Sequence, residues 1–162
     1  MGEKEEILIQ LYKILHKIAG DKRIYYRLSE QCKQSFLRNF FMKLSHQKRS
    51  FYRRIRYEIK ELEKEILLNK ENGLKNVPII GKESFHGLPS FRFDMNTLIK
   101  YSIKKEQEYL HIYKTLLSIT HLGNIREMLL NQGHAVQLNL NEIRSIENKN
   151  DYGKNEEQLN YS

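Results

Sequence analysis

Residues 69–93 read NKENGLKNVPIIGKESFHGLPSFRF, and this stretch decides the fold. It holds both prolines of the chain, Pro78 and Pro89, together with Gly73, Gly81 and Gly87. Proline removes a backbone donor and its ring clashes with the preceding turn, so no single helix runs through the stretch. Its apolar residues, Val77, Ile79, Ile80, Phe85, Leu88, Phe91 and Phe93, predict that it packs along the rest of the protein. On both sides proline is absent and apolar residues recur every three or four positions, the period of a helix with one buried face.

Working outward, two helical stretches lie on each side. Upstream, residues 4–32 carry Ile7, Leu11, Ile14, Ile18, Tyr25, Leu28 and Cys32, and residues 36–68 carry Leu37, Phe41, Leu44, Phe51, Ile55, Ile59, Leu62 and Ile66. Downstream, a helix opens after Asp94, a side chain suited to an N-cap, with Met95, Ile99, Ile103, Leu110, Tyr113 and Leu117. A fourth opens near Asn124, with Ile125, Leu129, Val136, Leu140 and Ile143, and fades near Glu147. Within each pair the link is only a few residues, which makes the helices antiparallel neighbours. The reading is an all-α, ferritin-like four-helix bundle: two antiparallel hairpins joined by a long crossover at 69–93. The bundle occupies 1–147. Residues 148–162, rich in Asn, Lys, Glu and Gln with Leu159 as their only aliphatic residue, read as a disordered tail.

Composition narrows the classes further. The 162 residues include 28 Lys+Arg against 20 Asp+Glu, a formal charge of +8, and one cysteine. A single cysteine rules out a disulfide framework or an all-cysteine zinc site, and Cys32 reads as a small buried apolar residue in a reducing compartment. No apolar run approaches the roughly 20 residues that span a bilayer. The acidic start, with Glu3, Glu5 and Glu6, resembles neither a signal peptide nor a myristoylation site. A cytoplasmic location is the expectation.

The gaps in the apolar stripes point inward. Asp21 falls between Ile18 and Tyr25, Lys48 between Leu44 and Phe51, Glu106 between Ile103 and Leu110, and Gln132 between Leu129 and Val136. Each lies near the middle of its helix, and Asp21 and Lys48 are nearly equidistant from their shared turn. Four helices each contributing a polar side chain at mid-height is how ferritin-like bundles build metal sites. Charge inside a core must be paired or bound to an ion. Asp21 and Glu106 could share a divalent metal or iron with Gln132, or they could share the ammonium of Lys48, with Gln132 completing the hydrogen bonds. An ammonium is repelled by a metal but satisfies two carboxylates, so the reading is a buried polar network of Asp21, Lys48, Glu106 and Gln132 without a cofactor. A di-iron centre needs Glu-x-x-His on two helices. The two matches, Glu83 to His86 in the crossover and Glu108 to His111 off the Glu106 face, do not supply it.

From position 33 to 57 there are eight basic residues and no acidic one. Lys43, Arg49, Arg53, Arg54 and Arg56 are candidate phosphate ligands, and nucleic acid is the corresponding alternative partner. The histidines, His16, His46, His86, His111, His121 and His134, form no metal-spaced pair on one helix and read as surface residues. No glycine-rich phosphate loop or nucleophile elbow occurs, so no catalytic residue is assigned.

The segment YYRLSEQCKQSFLRNFFMKLSHQKRSF, residues 25–51, resembles the first hairpin of a bacterial ferritin-like family of unknown function. Tyr25, Glu30, Leu44, Arg49 and Phe51 carry the likeness. Residues 81–93, and then Glu106 with Tyr113, are similar to the second half, so the resemblance spans about 7–146. It implies a ferritin-like bundle, sometimes linked to stress or envelope contexts, without an assigned activity. The chain departs from the family pattern at Arg23, where relatives place Glu, and at Ser45-His46-Gln47-Lys48, which holds no carboxylate. Only Glu106 survives as a ligand-like residue. The expected function is that of a non-enzymatic, stress-associated or protein-interaction bundle with a metal-free, salt-bridged core. Its expected partner is a second copy or another protein.

Overall fold

The computed structural model describes residues 2–69 and 94–160, with the side chains of all of these but 152–160. The expected crossover and the Glu83/His86 pair therefore lie outside the described residues. The rest is helical: α1 (Glu3–Gln31), α2 (Ser35–Asn69), α3 (Met95–Ile119) and α4 (Gly123–Asn160), with no strand among the described residues.

The helix ends follow from local chemistry. Glu3, Glu5 and Glu6 fill the first turn of α1, where negative charge meets the positive end of the helix dipole. Asp94 caps α3 as predicted: its carboxylate accepts from the Thr97 backbone N–H and from the Thr97 hydroxyl, both at 2.9 Å. Both hairpin turns close in the same way. Arg38, in the first turn of α2, donates through Nε and Nη2 to the Cys32 carbonyl at 3.3 and 3.1 Å. Arg126, in the first turn of α4, donates to the carbonyls of Leu117 at 2.8 Å and Thr120 at 3.2 Å. In each case a guanidinium satisfies carbonyls left open at the end of the preceding helix.

Helix α4 does not stop where its apolar stripe fades. The stripe suggested an end near 147 and a disordered tail from 148, but the helix runs to Asn160. No proline follows position 123 to break it, and Asn150 ties its extension to α3 through a hydrogen bond to Asn96 Oδ1 at 2.6 Å.

Side-chain pairs give the directions. Ser45 Oγ bonds the Lys22 carbonyl and Lys4 pairs with Glu65, so α1 and α2 are antiparallel. Tyr113 meets Gln132 and Asn96 meets Asn150, which makes α3 and α4 antiparallel. Tyr25 reaches Glu106 while Lys17 reaches Glu108, so α1 also runs against α3. Lys43 pairs with Glu142 and Gln47 with Asn139, and Asn150, further along α4, reaches Asn96 at the start of α3, so the second half of α4 runs toward the end of the bundle at which α2 and α3 begin. It follows that Asn69 and Asp94 sit at opposite ends of the bundle.

The stripes of α1, α2 and α4 are buried as predicted, Phe51 included. The face of α3 is rotated from the expected one. Leu98, Ile99, Ser102, Glu106, Tyr109, Tyr113 and Leu116 face inward, whereas Met95, Ile103, Leu110 and Leu117 are only half-buried. Polar atoms on Ser102, Glu106 and Tyr109 find partners inside, and this lets a line of mixed polarity outcompete the purely aliphatic one.

The apolar core is in two parts. One joins Ile7 through Ile18, Phe51 through Ile66, Tyr109 through Leu116 and Ile125 through Val136. The other joins Tyr25, Leu28 and Cys32 with Leu37 through Leu44, Leu98, Ile99 and Ile143. Between them the buried side chains are polar: Asp21, Ser45, Lys48, Ser102, Glu106 and Asn139.

Candidate functional site

That polar layer is the candidate site. At its centre Lys48 Nζ lies 2.9 Å from Glu106 Oε1, and both side chains are 0% exposed. Asn139 donates through Nδ2 to the same Glu106 oxygen and to Gln47 Oε1, each at 2.7 Å. The Gln47 oxygen also accepts from Lys48 at 3.3 Å. Tyr25 OH donates to the other Glu106 oxygen at 3.2 Å. The ammonium also lies 4.5 Å from the Tyr109 ring centre and 5.3 Å from that of Phe51, so aromatic faces line its remaining side.

Asp21 belongs to the same level but has other partners. Tyr109 OH donates to its Oδ2 at 2.6 Å, and Lys17 and Lys105 each lie 3.4 Å from its carboxylate. Lys17 bridges onward to Glu108 at 3.0 Å. Three ammonium groups thus face three carboxylates, with Lys17, Lys105 and Glu108 at the half-exposed rim and Lys48–Glu106 sealed within.

Burial acts on the titrations. It drives the Lys48 pKa below the ordinary lysine value, with Glu106 opposing. Burial also pulls Lys17 down, but Asp21 and Glu108 outweigh it and the net shift is upward. Tyr25, Tyr109 and Tyr113 are pushed well above an ordinary phenol, first by burial and then by neighbouring carboxylates. The Cys32 thiol is raised to about 11 by burial, against the pull of Arg38, which makes it a poor nucleophile at neutral pH.

All four residues named from the sequence are buried, but they do not form one set. Lys48 joins Glu106 directly, and Asp21 acts on it only through its field. Gln132 lies away from the layer, accepting from Tyr113 OH at 2.6 Å. Its expected place is taken by Asn139. Distance from the turn does not separate the two: Glu106 lies 13 residues before the end of α3, while Gln132 lies 9 and Asn139 16 after the start of α4, so only the packed register of the helices chooses Asn139. The tyrosines were hidden because a phenol counts as apolar in a stripe until its hydroxyl finds a partner. Gly133 is buried, and a methyl group there would stand 3.5 Å from Tyr113 Cβ, an ordinary contact.

Among the described residues no three His, Cys, Asp or Glu side chains gather at metal-binding distance. The five described histidines are exposed. Of the expected phosphate ligands, Lys43 pairs with Glu142 and Arg54 with Glu58 at 2.8 Å, while Arg49, Arg53 and Arg56 are exposed along α2. No described helix is long and apolar enough to cross a membrane. No protein-family profile, curated protein or solved structure matches the chain.

Proposed function

We propose that the chain is a ferritin-like four-helix bundle in which an internal ammonium fills the mid-height site, and that it acts without catalysis through protein contacts. The observation that carries this reading is the Lys48–Glu106 pair, fully buried at 2.9 Å and completed by Asn139, Gln47 and Tyr25. Each oxygen of Glu106 already accepts a hydrogen bond, so a cation would have to displace a charged partner held in a low-dielectric interior. The up-down-down-up sequence of helix directions supports the ferritin-like assignment, since that topology needs a long connection between its second and third helices. A protein partner, a second copy included, would find apolar surface on α4 at Leu130 and Leu138, each about half-exposed.

The alternative, a divalent metal or iron held by Asp21, Glu106 and Gln132, has less support. Lys17, Lys48 and Lys105 lie against those carboxylates, and Gln132 is engaged with Tyr113. The test is metal analysis of the untagged full chain after incubation with Fe2+, Mn2+ or Zn2+ and desalting. The expected result is far less than one equivalent bound. A stoichiometric ion bridging Asp21 and Glu106, with Lys48 turned out to water, overturns the reading.

A further inference from the structure

The outer face of the first hairpin carries a groove that the α2 sequence alone did not disclose. It is about 750 Å³ in volume and lies between the C-terminal third of α1 and the facing part of α2. Four cationic side chains line it, Lys22, Arg23 and Arg27 from α1 and Arg49 from α2, against the single carboxylate of Glu30. Arg23 and Arg27 are one turn apart, and Arg49 is continued along α2 by exposed Arg53 and Arg56. Successive charges therefore recur about every 6 Å along each helix axis. The Ser45 hydroxyl donates to the Lys22 carbonyl at 2.9 Å and draws the two helices together beneath the groove. Tyr26 lines the groove among these cations and is 45% exposed.

We propose that this groove binds the phosphodiester backbone of single-stranded nucleic acid, with Tyr26 as a stacking platform for a base. Cations tracking a backbone beside exposed aromatic rings are the physical requirement for sequence-tolerant single-strand binding. A membrane surface fits less well. Interfacial binding needs aliphatic or large apolar side chains beside the cations, and no aliphatic residue lines this groove. A duplex reader needs an element that protrudes into a groove of the DNA, whereas this surface is concave. The inference is independent of how the bundle interior is filled, so the metal measurement and this one fail separately.

The test uses the full chain and a fluorescein-labelled 20-nucleotide oligo-dT, read by anisotropy at 50 and 200 mM salt. For about four phosphate contacts on a single strand, affinity falls on the order of 50-fold between these conditions. Arg23→Glu with Arg49→Glu weakens binding at 50 mM salt by about tenfold or more. The charge-matched control, Lys104→Glu with Lys114→Glu on the exposed side of α3, changes it by less than about twofold. Tyr26→Ala weakens it about fivefold or more. Circular dichroism checks that each variant keeps its helices. Absence of an anisotropy change with the parent chain at 50 mM salt overturns the proposal. So do equal losses in the two double variants, or binding to phosphatidylserine vesicles without binding to the oligonucleotide.

Discussion

At the scale of single residues the interior turns on one lysine. A buried ion pair costs several kcal/mol of desolvation per ion and recovers it only when the geometry is good and the remaining polar atoms are satisfied. Lys48 and Glu106 meet both conditions, through Asn139, Gln47 and Tyr25. Glu106→Gln leaves the ammonium buried without its counter-charge, and the expected loss is about 3–5 kcal/mol of unfolding free energy. Glu106→Gln combined with Lys48→Met removes both charges and is expected to return to within about 1–2 kcal/mol of the parent chain, or above it. Urea unfolding followed by circular dichroism measures both. A loss in the double variant equal to the sum of the Glu106→Gln and Lys48→Met single losses would show that the pair is not coupled.

At the scale of the element, helix ends and helix faces obey different rules. Ends are local. Asp94 sits where a cap is needed and reaches the Thr97 N–H from an extended backbone conformation, φ −75° and ψ 156°. Asp94→Ala is expected to cost about 1 kcal/mol, and Asp94→Asn far less, because the amide oxygen can still accept that bond. A shift in the urea midpoint, with the slope unchanged, is the measurement. Faces are not local. The aliphatic line of α3 through Ile103 and Leu110 looked inward by periodicity, yet Ser102, Glu106 and Tyr109 occupy the interior. A helix rotates to satisfy the partners it meets, and here those partners are Lys48, Asn139 and Asp21 on the three other helices.

At the scale of the whole molecule the buried tyrosines set an alkaline limit. Tyr25, Tyr109 and Tyr113 hold their protons well above the unfolded value of about 10, so their contribution is intact below that pH and lost as pH rises through and beyond it. Lys48 works in the opposite sense, since its folded pKa lies below its unfolded one and its deprotonation relieves the burial of charge. Three tyrosines outweigh one lysine, so stability is expected to fall above about pH 10. Phenolate absorbance near 295 nm should complete its rise only as helical signal is lost. Ionisation of all ten tyrosines with the helices intact would show that the three rings reach water. Much of this architecture is legible in the residues themselves. Period, proline placement and the short links at 32–34 and 120–122 determine four helices in two hairpins, because these depend only on neighbours within a turn or two. The same short-range logic places Asp21, Lys48 and Glu106 inside. Only the tertiary structure decided that Lys48 belongs to Glu106, that Asp21 is held by Lys17, Lys105 and Tyr109, and that Asn139 stands where Gln132 was expected. Those pairings depend on the rotation and axial register of helices far apart in the chain, and these settle only when the polar atoms of all four find their partners at once.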